Sequence, residues 1–146
     1  MSGIEIFHFG GLFAFLWPNV KREMRKELEK ILKRNIEGYK GYRLAAEDIS
    51  NENFKNFLEN YAENRKQFVD EIREIFENQG LDSVDDTSFL GDLHRAFIKI
   101  KENTSSNKDK AILAECARGE SMALSDYNKV LESADLPKGV LQTVMK

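Results

Sequence analysis

The chain has 146 residues, the length of one domain with room for a real core, and two full enzyme domains are excluded. Lys and Arg number 22 against 25 Asp and Glu, a formal charge of -3, so no basic excess points to nucleic acid. At 41% hydrophobic and 32% charged, the composition is that of a folded, strongly amphipathic protein rather than a disordered or fibrous one.

Cys116 stands alone, which excludes an internal disulfide and a cysteine metal cluster and suits a reducing, cytoplasmic setting. His8 and His94 are the two histidines. That scarcity disfavours most metal and acid–base sites, which recruit imidazole.

Residues 4–17 form an apolar run holding four of the ten phenylalanines, followed by Lys21, Arg22, Arg25 and Lys26. It is too short to span a bilayer as a helix, which takes about 20 apolar residues. Without a preceding Lys or Arg or a following cleavage site, it does not read as a secretory signal. It is expected to be an N-terminal extension, residues 1–18, which packs on the body, mediates oligomer contact or rests on a membrane surface.

Between Pro18 and Pro137 nothing withholds a backbone donor, and Glu, Lys, Leu, Ala and Arg dominate, so residues 19–146 read as one helical domain. The 3.6 period predicts four helices. The first covers about 19–49, capped by Asn19, with Leu28, Leu32, Tyr39, Tyr42, Ala46 and Ile49 on one side. The second covers about 51–79, with Phe54, Leu58, Tyr61, Phe68, Ile72, Ile75 and Phe76 in one core stripe and Gly80 as its C-terminal cap.

The third covers about 88–102, opened by Thr87 or Ser88, with Phe89, Leu93, Phe97 and Ile100 inward. The fourth covers about 109–133, with Leu113, Cys116, Ala117, Leu124, Tyr127, Val130 and Leu131 on its apolar face. A short C-terminal helix after Pro137 presents Val140, Leu141, Val144 and Met145. Four amphipathic helices on short links predict an all-α, antiparallel up-down-up-down four-helix bundle.

A few polar residues fall at core spacing. Arg65 sits between Tyr61 and Phe68, Glu120 between Cys116 and Tyr127, Asn35 on the first helix, and His94 beside the core face of the third. All four lie near the helix midpoints, which predicts one buried polar layer of Asn35, Arg65, His94 and Glu120. A buried carboxylate needs a partner, so an Arg65–Glu120 ion pair is expected, completed by His94, Asn35 or Tyr39. Such a layer either fixes helix register or forms a ligand or metal pocket.

Di-metal bundle sites take Glu-x-x-His from two helices, because i and i+3 share a face. Here Glu63, Glu115 and Glu120 are followed three residues on by Lys66, Arg118 and Ala123, and His94 follows Gly91. No cofactor is therefore expected; the one alternative is an atypical iron site from Glu47, His94 and Glu120. No catalytic residue emerges, since glycine-rich phosphate loops and nucleophile elbows are missing and Cys116 has no cationic activator nearby.

Four stretches carry a resemblance: 38–48 (GYKGYRLAAED), 63–68 (ENRKQF), 91–97 (GDLHRAF) and 109–120 (DKAILAECARGE). Across about residues 24–146 the chain resembles a bacterial family of ferritin-like four-helix-bundle proteins of uncharacterised function, related in fold to ferritins and rubrerythrins. The resemblance implies the fold and leaves activity open. The resulting expectation is a non-enzymatic, structural or protein-interaction module, a homo-oligomer or the partner of another protein, with iron binding and membrane-surface association as alternatives.

Overall fold

The computed structural model describes residues 10–82, 90–103, 107–133, 141–142 and 145. They form four α-helices, and no strand occurs among the described residues: α1 Gly10–Asp48, α2 Glu52–Asn78, α3 Leu90–Asn103 and α4 Lys108–Ser133. Thr87, Ser88 and Phe89, and most of the expected C-terminal helix, lie outside the described residues.

The first helix starts earlier than Asn19, which lies inside α1 rather than capping it. Pro18 withholds its own donor, but the helical assignment continues through it from Gly10 to Asp48. The second helix begins where a cap is available: the Asn51 side chain accepts from the backbone N–H groups of Asn53 and Phe54. It ends at Gly80, whose φ of 63° is a left-handed conformation that glycine adopts without strain.

α1 is the hub, since α2, α3 and α4 all pack against it and α3 also touches α4. Its buried side is correspondingly broad, from Met24 through Leu28, Ile31, Leu32 and Ile36 to Tyr42, Ala45, Ala46 and Ile49. Residues paired across helices run in a consistent order. Arg34 bonds Asp126, Tyr42 bonds Glu120 and the Ser50 backbone bonds Asp109, so partner numbers on α4 fall as those on α1 rise.

The apolar interior is divided. One cluster gathers Leu28, Ile31, Leu32 and Ile36 with Val69, Ile72, Phe76 and Val130. The other gathers Tyr42, Ala45, Ala46 and Ile49 with Leu58, Ala62, Phe97 and Ile112. Arg65 stands between them in the chain order of α2, and Asn35 lies beside Ile36 at the end of the first cluster on α1.

Two stripes are rotated from their expected positions. On α2 the buried residues are Leu58, Ala62, Val69, Ile72 and Phe76, with half-buried Arg65 completing a four-three spacing. Phe54 and Tyr61, expected in the core, are exposed. On α4, Ile112, Ala123 and Val130 are buried, while Ala117, Leu124 and Leu131 face outward. In both helices the buried side is offset from the one the large apolar residues suggest, and small residues, Ala62 and Ala123, lie on it.

Candidate functional site

α1 brings Asn35 and Tyr42, α2 brings Arg65, and α4 brings Glu120 and Tyr127 to one polar network. The Arg65 Nη2 donates to Glu120 Oε1 at 2.7 Å and Oε2 at 2.5 Å, while Nη1 donates to Asn35 Oδ1 at 3.0 Å. The Tyr42 hydroxyl donates to Glu120 Oε1 at 2.6 Å. Asn35 is fully buried; its amide nitrogen donates to the Ile31 carbonyl at 2.9 Å and to the Tyr127 hydroxyl. A chain of side chains thus runs from Tyr42 through Glu120, Arg65 and Asn35 to Tyr127, with charge-assisted bonds at its centre.

Gly38 leaves room for Arg65 beside α1. A Cβ there would stand 3.4 Å from Arg65 Cδ, in van der Waals contact with the arginine stem, so a methyl group takes up the room and anything larger collides. Gly41 does the same for α3, since its Cβ would meet Leu93 Cδ1 at 3.4 Å.

Glu120 departs from the expected buried setting: 40% of its side chain is exposed, against 16% for Arg65. Its open side faces a cleft of about 340 Å³ between α1, α3 and α4. Tyr42, Cys116 and Gly119 also line it, with Arg34 and Arg118 on its walls. Gly119 contributes space, because a Cβ built on it meets nothing within 4 Å.

Burial, followed by the charges of Glu115 and Glu120, pushes the Cys116 thiol up to about 11. Burial, then the hydrogen bond to Glu120, raises Tyr42 above the ordinary tyrosine range. Burial also raises Tyr127, against the opposing pull of Asn35 and Arg65. All three groups are thus protonated at neutral pH. The thiol is no nucleophile in that form, and the tyrosines serve as hydrogen-bonding hydroxyls.

The expected layer is corrected at His94, which is exposed. α3 turns Leu93, Phe97 and Ile100 inward, and His94 lies one residue, about 100°, around from Leu93. Tyr39 is not a member either; its hydroxyl accepts from Arg43 Nη1 at 3.1 Å on the surface. Tyr42 and Tyr127 take those places. Their signal was in the spacing, since Tyr42 follows Asn35 by seven residues as Tyr127 follows Glu120.

The structure does not gather Glu47, His94 and Glu120. Glu47 lines a separate cleft between α1 and α2 with Glu59 and Glu63. Among the described residues no group of three or more His, Cys, Asp or Glu side chains is placed to hold a metal ion. No described helix is long and apolar enough to cross a membrane.

A different feature stands on the outer side of α2. Phe54, Phe57 and Tyr61 are 43%, 49% and 39% exposed. The Phe57 and Tyr61 rings lie 4.4 Å apart, and Tyr61 reaches back to within 5.5 Å of the Tyr42 ring. Phe54 and Tyr61 were expected in the core because aromatic residues at helical spacing are usually buried, whereas Phe57 fell outside the expected stripe.

A family model described as Domain of unknown function (DUF2383) matches residues 23–133. No curated protein and no solved structure matches the chain.

Proposed function

The chain belongs to the family described as Domain of unknown function (DUF2383), and from that premise we propose that it works as a non-enzymatic helical module acting through contact with protein, either its own copies or a partner. Its architecture is an antiparallel up-down-up-down four-helix bundle of the ferritin-like kind. The pairing order supports this: α4 partners descend as α1 ascends, Arg25 in the first half of α1 bonds Asp82 just after α2, and on α3 Leu93 neighbours Gly41 while Lys101 bonds Asp48. A cytoplasmic location accords with the lone free Cys116.

One observation carries the non-enzymatic reading. Both oxygens of Glu120 are held by the Arg65 guanidinium, with a further bond from Tyr42. In carboxylate-bridged di-metal bundles, inward Glu and Glu-x-x-His residues present bare oxygen and nitrogen to cations. Here a fixed cation of the chain itself takes the carboxylate and opposes a metal ion close by. The layer's work is then to fix the register of α1, α2 and α4, a use for which buried polar groups are known.

The test is anaerobic incubation of purified protein with ferrous iron, desalting and determination of metal per chain. Near-zero iron is the expected result. Stoichiometric iron that disappears in Glu120→Gln would overturn this reading in favour of an iron-binding protein.

A further inference from the structure

We propose, resting on the module reading above, that the outer face of α2 bearing Phe54, Phe57 and Tyr61 is the docking surface for a second copy of this chain. Three half-exposed aromatic rings on adjacent turns form a continuous apolar ridge. The ridge is pre-organised, because Tyr61 is held against Tyr42 on α1. Aromatic side chains of that kind bury much area at small entropic cost.

The distribution of charge along α2 selects the occupant. At 100° per residue, Asn53, Phe54, Phe57, Asn60, Tyr61, Asn64, Gln67 and Phe68 share one side of the helix. Lys55, Glu59, Glu63 and Lys66 share the other, and Arg65 turns to the polar layer. In a chain that is 32% charged, this side carries no charge from Asn53 to Phe68, and Glu71 is the first charged residue on it. Interface cores are depleted of charge and enriched in Phe and Tyr in this way.

A two-fold interface sets a face against its own image. A charged face repels its copy, whereas an uncharged one does not. The flanking Asn53, Asn60, Asn64 and Gln67 amides each carry both a donor and an acceptor, so each can bond an identical group across a symmetry axis. Lys or Glu at those positions could not. A partner of different composition would be steered by complementary charge, and the stretch around the aromatic ridge, from Asn53 to Phe68, supplies none.

Packing within the chain points the same way. Among the described residues α2 packs chiefly on α1, through Leu58, Ala62, Val69, Ile72 and Phe76, and has no comparable contact with α3 or α4. A second copy's α2 gives it the second helical neighbour that a bundle helix normally has.

Sedimentation velocity of the full-length native chain, with Tyr61→Lys, Tyr61→Glu and Phe57→Lys, tests this. The native chain should dimerise, and each variant alone should associate about thirtyfold more weakly, as loss of a central aromatic contact implies. An equimolar mixture of Tyr61→Lys and Tyr61→Glu should regain the dimer, which a merely misfolded variant would not. Circular dichroism of each variant should match the native spectrum, since the substituted positions are exposed. A native chain that stays monomeric up to about 0.1 mM, where weak protein contacts still register, overturns the inference. Variants that dimerise as the native chain does overturn it as well. Either result leaves the module reading standing, since that reading fails by iron uptake.

Discussion

Arg65 on α2 and Glu120 on α4, 55 positions apart, are joined by one guanidinium nitrogen that reaches both carboxylate oxygens at 2.7 and 2.5 Å. The bond ties together two helices that otherwise touch little, and Asn35 fixes the other guanidinium nitrogen to α1. Arg65→Met leaves Glu120 with the Tyr42 hydroxyl alone and should cost about 1–3 kcal/mol, the range for removing one partner of a charge-assisted bond. Exposure of Glu120 to the cleft keeps the figure below that of a fully buried pair. Pairing Arg65→Met with Glu120→Leu should cost less than the two changes added together. Urea unfolding of the four proteins measures the coupling, expected to be about 1 kcal/mol or more; additive losses would show that the two groups do not stabilise each other.

The helices and this pairing could be read from the chain, whereas the rotation of two helices could not. Arg65 stood out because a cation between Tyr61 and Phe68 breaks the pattern, and Glu120 because it shares a side with Cys116 and Tyr127. The period of α2 was equally clear, but two combs run along it. Phe54, Tyr61, Phe68 and Ile75 repeat every seven residues, and so do Leu58, Arg65 and Ile72 with Ala62, Val69 and Phe76. Judged by side-chain size the first comb wins. Packing chooses the second, with Ala62 buried among Tyr42, Ala45 and Ala46 of α1. His94 was misplaced for a related reason: one residue is 100° of helix, enough to move a side chain from boundary to solvent.

The glycines predict opposite responses to one substitution. Gly119→Ala adds a Cβ into open space and removes the entropic penalty of glycine in a helix, so it should stabilise by about 0.5–1 kcal/mol. Gly38→Ala offers the same gain but sets a methyl 3.4 Å from the Arg65 stem. It should stabilise less, and Gly38→Val should destabilise outright by crowding the Arg65–Glu120 bond. Thermal melts should rank Gly119→Ala above native and Gly38→Val below it; the reverse order for either would contradict this geometry.

Asp109, at the start of α4, caps the turn between α1 and α2. Its two oxygens accept from the backbone N–H groups of Ser50 at 2.8 Å and Asn51 at 3.0 Å. Asn51 in turn caps α2, so one carboxylate holds the junction of three helices. Asp109→Ala should cost about 1–2 kcal/mol through two lost charge-assisted bonds and the lost acid at a helix N-terminus. Hydrogen exchange at the Ser50 and Asn51 amides is the specific readout. It should quicken in the variant while exchange at Leu32 and Ile36, in the other half of the core, stays slow.

Cys116 makes stability depend on pH at the alkaline end. Its thiol is raised from an ordinary value near 9.0 to about 11, chiefly by burial and then by Glu115 and Glu120. The folded chain therefore keeps this proton over a range in which the unfolded chain has lost it. The contribution is fully present below pH 9, declines as pH rises through that window and is gone above about 11. Tyr42 and Tyr127, also raised by burial, act in the same direction at higher pH. Urea unfolding between pH 8 and 11 should show falling stability, with a shallower fall in Cys116→Ala because the alanine has no proton to lose. A thiol reagent at pH 8 should modify folded Cys116 on the order of tenfold or more slowly than the same residue in urea, since the reactive thiolate is scarcer in the fold. Equal rates, or a pH profile unchanged in Cys116→Ala, would place the thiol in water rather than among Tyr42, Glu115 and Glu120.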